Sequence, residues 1–406
     1  MDRTILHCDL NSFFASVELL DHPELQSQPV AVCGDPEARH GIILAKNEAA
    51  KRYKVQTAET IWQARRKCPN LVLLPAHHSK YHAYSQKINA IYERYTDLVE
   101  PFSVDESWLD MTGSLHLFGK DGAALADEIR ETVHRELGLT ISVGVSFNKV
   151  FAKLGSDYKK PNATTLISRE NFTQILWPLP VGDMLFVGKA ARKLLAQYGI
   201  HTIGDLARAD REALVRLMGK QGGQLSDYAR GLDNSRVIPA RELPPPKSVG
   251  NGLTFRRNLV GLDEVRTGLE LLSDSVASRL RQHALKCTSV QVTIRDPNFK
   301  TITRQMGLPV PTYLSREITE AALSLVQKAW DLRSPIRMLA VTGQSLISEW
   351  EAAEQLDLFS PTSAPKREKL ERLEKVMDNI RRQYGKEAIT LGSLSNTPLK
   401  GEGKPE

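Results

Sequence analysis

Apolar positions follow two interleaved periods through the first third of the chain. Short apolar runs at residues 5–8, 30–33 and 42–45 read as strands, whereas 13–20 and 47–53 carry helical spacing. Residues 81–95 form a longer helix, with Tyr84, Ile88, Ile91 and Tyr95 three or four positions apart. Residues 98–104 and 107–111 read as two strands flanking an acidic pair. A helix at 123–137 follows, then a strand at 140–146 that runs into a helix beginning at 148–153. Strands and helices alternate, so the class is mixed α/β.

From 168 to about 232 the pattern is shorter, helical and rich in glycine. Val187-Gly188-Lys189 and the segment from Gly199 to Leu206, which includes Gly204, place glycine at helix boundaries. Pro244-Pro245-Pro246 is a stiff, extended linker. After it, strands at 248–255, 289–295, 301–306 and 336–344 are interrupted by helices at 264–284 and 315–330. That order, β-α-β-β-α-β, is enough for a separate four-stranded domain. Beyond 348 the chain turns polar and reads as a mobile tail with one charged helix candidate at 366–384. No internal repeat of fixed period is present.

Composition narrows the class. At 406 residues the chain has room for two to four domains, and 41% hydrophobic with 25% charged residues is ordinary for a soluble protein. No run reaches the ~18 apolar residues of a membrane span. The N-terminus has no basic-then-apolar leader. Cys8, Cys33, Cys68 and Cys287 are scattered without metal-site or redox spacing, as reduced thiols of a cytoplasmic protein would be. The net charge of +6 favours nucleic acid only weakly, but its distribution says more. Residues 243–350 carry 14 Lys and Arg against 9 Asp and Glu.

Two carboxylate clusters carry the chemistry. Asp9 ends the apolar run Thr4-Ile5-Leu6-His7-Cys8-Asp9, just past its strand, and Asp105-Glu106 stands between two strand-like runs. Such acids beside apolar strands are costly to bury without a positive partner. Hard cations such as Mg²⁺ take oxygen ligands and use a few carboxylates plus substrate phosphates. Two of them can hold the attacking and leaving oxygens of a phosphoryl transfer. Neighbouring strand residues point to opposite faces, so Asp105 and Glu106 converge only if the backbone bends between them.

The segments Asp9–Glu18 and Ser103–Ser107 resemble the two acidic motifs of Y-family DNA polymerases, the translesion group, with the bacterial polymerase IV type nearest. The resemblance covers roughly residues 1–360 and at least five separated motifs. It implies a right hand with palm (1–10 and 78–166), fingers (11–77), a thumb with helix-hairpin-helix turns (167–240), a linker (241–247), a little finger (248–347) and the tail. It further implies two Mg²⁺ ions on Asp9, Asp105, Glu106 and the Leu10 carbonyl. It implies that Phe13 and Phe14 belong to the nucleotide pocket: Phe14 takes the steric-gate position, where a bulky ring excludes a 2′-hydroxyl, and Phe13 beside it is also in part a core aromatic.

Residues 45–53 resemble the family's triphosphate-binding helix with two departures. Glu48 stands where a Tyr is usual and Lys51 where an Arg is usual. Lys51 binds phosphate as a point charge without a bidentate fork. Glu48 would repel the triphosphate if it pointed inward, so it is expected to point away, with Lys46, Lys51 or Arg52 compensating. In the motif Asn148-Lys149-Val150-Phe151-Ala152-Lys153-Leu154-Gly155-Ser156-Asp157-Tyr158-Lys159-Lys160-Pro161, the lysine before the proline, Lys160, is the one the family directs to the triphosphate.

Gly188, Lys189 and the Gly204 turn resemble family elements that offer backbone N–H groups to phosphates without reading sequence. Arg256, Arg257, Arg295, Lys300 and Arg304 lie on or beside the strands of the basic domain, where they could track a duplex backbone. Alternation does not say which face meets DNA. Gln355-Leu356-Asp357-Leu358-Phe359 resembles the bacterial sliding-clamp-binding motif, with Leu358 and Phe359 for an apolar pocket and Gln355 for its rim. Tethering to a clamp raises the local concentration of a weakly DNA-held enzyme. The implied protein is a monomeric, template-directed DNA polymerase taking primer-template DNA and dNTPs, with no stretch for a proofreading exonuclease and hence low fidelity. Two rivals are a catalytically inactive DNA-binding accessory on the same scaffold, against which Asp9, Asp105 and Glu106 argue, and a palm-like nucleotide cyclase.

Overall fold

The computed structural model describes residues 2–35, 41–352 and 364–394. Two compact units emerge, one of Gly41–Leu243 with the N-terminal segment, the other from Pro244 onward.

The first unit is built on a five-stranded sheet. Its strands are β1 (Ile5–Leu10), β5 (Val99–Pro101), β6 (Glu106–Asp110), β7 (Ile141–Ser146) and β8 (Thr164–Ile167), in the order β5-β6-β1-β7-β8. All neighbours are antiparallel except β7 and β8. Helices His78–Tyr92 and Gly122–Leu137 cover one face, packing on Leu6, Cys8, Leu10, Leu109, Val143 and Val145. The other face of β1 and β6 carries Ile5 and Trp108, which pack with Ala152 of the helix Lys149–Tyr158. Both faces of β1 are covered, so all six of its residues are buried and its sequence shows no alternation.

A smaller sheet, β2 (Val30–Cys33), β3 (Ile43–Lys46) and β4 (Val72–Pro75), is ordered β3-β2-β4 and packs with helices Glu48–Arg52 and Ile61–Lys67 around a core of its own. Residues 172–229 form a helical region around Phe151, Leu195, Ile203, Leu206 and Leu225. There Gly204 lies inside the helix Ile203–Arg208, where a Cβ would stand 3.0 Å from that of Trp177.

The second unit is β9 (Ser248–Leu259), helix Leu262–Gln282, β10 (Leu285–Arg295), β11 (Thr301–Thr312), helix Ser315–Ala329 and β12 (Ile336–Ser348). The strands run β11-β10-β12-β9, all antiparallel, and the two helices cover one face through Leu269, Leu272, Val276, Ile318, Ala322 and Val326. The β-α-β-β-α-β order read from the sequence is present, with longer strands.

The charged helix candidate spans Ala364–Tyr384, and it is no free tail. Arg281 of the Leu262–Gln282 helix, its side chain 4% exposed, pairs with both Glu374 and Asp378, and Arg381 pairs with Asp274 at 3.0 Å. Glu374 also accepts from the Ser315 hydroxyl and backbone N–H at the start of the next helix. The inward stripe of the last helix is therefore mostly ionic, which is why the sequence reads as solvated. The pentapeptide 355–359 lies outside the described residues.

Candidate active site

Asp9 lies within β1 rather than past its end, and its register partner on β6 is Glu106. The two carboxylates form a cross-strand pair on the face that carries His7 and Trp108. The chain bends at residues 103–105, so Asp105 occupies the turn and Glu106 opens the strand. This is the bend the adjacent acids require. The Leu10 N–H donates to the Asp105 carbonyl at 3.1 Å, which joins the two motifs, and the Ser103 hydroxyl holds the Asp105 carboxylate at 2.7 Å.

The helix Lys149–Tyr158 lies against this face. Asn148 caps it, its side chain accepting from the Phe151 N–H. Gly144 of β7 allows the close approach, because a Cβ there would sit 1.9 Å from the Ala152 carbonyl oxygen. Lys153 is thereby delivered onto the acids, 2.6 Å from Glu106 and 3.1 Å from Asp9. Lys160 also reaches Asp9, at 2.6 Å. His7 is fully buried, 2.8 Å from the Ser156 hydroxyl, and burial with the nearby Lys153 charge keeps it neutral.

Burial pushes all three acids upward. For Asp9 a hydrogen bond with Glu106 and the two ammonium groups outweigh it, and its carboxyl sits below the ordinary range. Glu106 is held above that range by burial and by the hydrogen bond to Asp9, against the pull of Lys153. Asp105 is also raised, by burial and by the Asp9 charge, though Ser103 opposes. For Lys153, burial is outweighed by Asp9, Asp157 and Glu106, and its pKa is raised.

Among the described residues, no three His, Cys, Asp or Glu side chains stand as a ready metal shell. Lys153 bridges Asp9 and Glu106 instead. The donors are nonetheless all oxygen and anionic, which suits Mg²⁺, and a cation already sits among them.

Four residues on, the helix Phe13–Leu19 opens from Ser12, which adopts a left-handed φ of 51°. Phe13 is buried in the core beneath the sheet, as a core aromatic. Phe14 stacks on Tyr81, ring centroids 4.0 Å apart and planes 11° from parallel. Tyr81 donates to the buried Glu18 and accepts from the His77 N–H. Glu48 does not turn away from this region: it accepts from the Ser12 hydroxyl at 3.3 Å and pairs with Lys51 at 2.5 Å. Lys51 is the compensating cation, while Lys46 bonds Thr57. Gly188 caps the helix Lys189–Gln197 without a side-chain cap.

In the second unit, Arg257 pairs with Glu264 on the helix side. Arg304 stands on the edge strand β11 opposite the buried Val292, so alternation puts it on the helix-covered side too. The opposite face of the sheet carries Gln291, Thr293, Arg295, Thr303, Thr342 and Gln344, with Thr293 bonded to Thr303, Gln344 to Gln291 and Arg295 donating to the Thr301 hydroxyl. Lys153, Asp157 and Tyr81 went unmarked as site residues in the sequence. Lys153 and Asp157 lie four apart within the quoted motif, the one signal that could have found them.

The impB/mucB/samB family matches residues 8–157, and the impB/mucB/samB family C-terminal domain matches residues 246–358. A DNA polymerase IV of Acetivibrio thermocellus is 49% identical over 97% of this chain and 98% of its own length. The chain belongs to the Y-family of DNA polymerases. DNA polymerase IV 1 of Bacillus subtilis (strain 168) is 37% identical over 96% of the chain and 93% of its own. Among solved structures, a Y-family DNA polymerase chimera, Dbh-Dpo4(243-245)-Dbh, superposes with a TM-score of 0.76 at 21% identity, over 85% of this chain and 99% of that one. The fold of this Y-family member is accordingly that of a right-hand polymerase. None of its described helices is long and apolar enough to cross a membrane.

Proposed function

We propose that Asp9, Asp105 and Glu106, with the Leu10 carbonyl, form the catalytic centre of this Y-family chain and hold two Mg²⁺ ions there. The protein is a DNA-directed DNA polymerase of the translesion class, extending a primer on a template with dNTPs and dependent on a divalent metal. The observation that carries the assignment is the Asp9–Glu106 cross-strand pair, joined to Asp105 through the Leu10 N–H. Metal bound at these acids would lower the barrier to attack by the primer 3′-hydroxyl and neutralise the leaving pyrophosphate.

The remaining work falls to the chain's own side chains. Lys160 and Lys51 offer point charges to the triphosphate. The Phe14 ring, backed by Tyr81, closes the space where a 2′-hydroxyl would lie. The Gly188–Lys189 helix start presents backbone N–H groups to a phosphate. Arg256, Arg257 and Arg304 supply charge to the duplex backbone in a salt-sensitive way. Gln355, Leu356, Leu358 and Phe359 form the docking peptide for a bacterial sliding clamp. The palm, fingers, thumb and little finger follow the sequence boundaries, and the protein works in the cytoplasm as a monomer.

Primer extension on a primed template with Mg²⁺ and each dNTP tests the reading. Template-dependent addition is expected. An Asp105→Ala, Glu106→Ala double variant that extends primers at the parent rate would remove the site assignment while leaving the activity intact.

A further inference from the structure

The helix Lys149–Tyr158 and the residues after it bring two ammonium groups into the carboxylate cluster. Lys160 has a role in the reading above, but Lys153 has none. Lys153 is 13% exposed and touches Glu106 at 2.6 Å, Asp9 at 3.1 Å and Asp157 at 3.0 Å. Lys160 divides itself in the same way, 2.6 Å from Asp9 and 2.7 Å from Asp157. Asp157 thus meets both lysines, one on each oxygen, and its side chain is 45% exposed.

We infer that Lys153 and Lys160 are the resident counter-ions of Asp9 and Glu106 in the metal-free enzyme, and that Asp157 is a positioning residue that takes over both ammonium groups when those carboxylates are given up to a divalent cation. The inference rests on the reading of Asp9 and Glu106 as metal ligands. Two nearly buried carboxylates on neighbouring strands are costly unless a cation stays with them. Lys153 fills that need in the absence of metal. The same contact would make it a competitor for every incoming cation if it had nowhere else to go.

Retreat into water is not open to Lys153 at low cost. Its helix is pressed onto the sheet at Gly144, and its side chain is largely enclosed. Asp157, one turn along the same helix, is already in contact. Moving from Asp9 and Glu106 to Asp157 exchanges one ion pair for another, so the lysine never becomes a buried charge without a partner. Lys160 has the same alternative, and leaving Asp9 also frees it for a triphosphate.

The test is Mn²⁺ binding to the full chain without DNA or nucleotide, read from the electron paramagnetic resonance of free Mn²⁺. Lys153→Met should tighten binding by about fivefold and Asp157→Asn should weaken it by a similar factor, the worth of one ion pair of about 1 kcal/mol. Lys153→Arg, which keeps the cation, should bind like the parent. Asp157→Asn should have no effect in a Lys153→Met, Lys160→Met background, because it acts only through the lysines. An undiminished effect there would mean that the charges merely add, and would overturn the inference. If Lys153→Met does not fold, as judged by circular dichroism, Asp157→Asn alone decides, and unchanged Mn²⁺ binding in it refutes the role. Failure of the underlying reading looks different: an Asp9→Asn, Glu106→Gln variant would then still bind Mn²⁺ like the parent.

Discussion

The Phe14 ring lies flat on Tyr81, 4.0 Å between centroids, and Tyr81 is itself pinned by the buried Glu18 carboxylate and the His77 N–H. His78 meets the edge of both rings. A ring at the proposed gate position, backed by a fixed aromatic, has little freedom to yield to a larger sugar. Phe14→Ala should therefore lower the preference for dNTP over rNTP by on the order of 10²-fold in kcat/KM. Tyr81→Phe keeps the stack and should retain most of the preference, whereas Tyr81→Ala should lose part of it. Unchanged sugar discrimination in Phe14→Ala would refute the gate.

The paired acids make a second expectation. Asp9→Asn or Glu106→Gln leaves the strand register in place but removes an anionic donor. Primer extension should fall by about 10³-fold or more in either variant, while the thermal midpoint of the metal-free protein should drop for Asp9→Asn, which takes a carboxylate partner from Lys153 and Lys160, and change little for Glu106→Gln, whose carboxyl is already held above its ordinary range. Single-turnover extension alongside a melting curve separates the two effects.

In the helical region, Asp205 closes a capping box with Thr202, accepting from the Thr202 and His201 backbone N–H groups. The Thr202 backbone and hydroxyl and the His201 N–H hold its carboxyl down at about 2. An unfolded Asp titrates near ~3.9. A carboxyl depressed on folding contributes stability above that value and loses it as pH falls from about 4 toward 2. Asp205→Ala should cost about 1 kcal/mol at pH 7. The gap to the parent should narrow steadily in denaturant melts between pH 4 and 2, and a gap independent of pH would exclude an ionised cap.

Much of this architecture was legible in the chain. The β-α-β-β-α-β unit was, because its long helices and half-exposed strands show their periods openly. β4, β8 and the helix Ile61–Lys67 went unread, being four to seven residues long with few repeats of any period. Asp9 was read past its strand because β1 is buried on both faces and gives no alternation from which to judge its end. Lys153 looked like any helix lysine, and only the β1–β6 register and the close approach at Gly144 turn it toward acids nearly 50 and more than 140 residues away.

The span of the last helix was legible, but the same limit hid its docking, and that yields the final prediction. Arg281 is almost fully enclosed, and its charge is met by Glu374 and Asp378 from a segment the family's C-terminal domain, ending at residue 358, does not include. A chain shortened to end before Ala364 would leave Arg281 and Lys286 without these partners, since Lys286 also relies on Glu371 at 3.1 Å. Such a truncation, or Arg281→Ala in the full chain, should destabilise the second unit by about 3 kcal/mol, as loss of one member of a buried ion pair does. Arg281→Met combined with Glu374→Gln and Asp378→Asn should recover part of the loss, because no charge is then stranded. Deleting residues 355–359 instead should spare this stability while abolishing stimulation by a sliding clamp, with basal primer extension retained. Thermal melts of the variants, set beside extension with and without clamp, separate the helix as a fixed part of its unit from the peptide as a docking element. Equal stability in the truncated and full chains would show that the helix is dispensable to the unit.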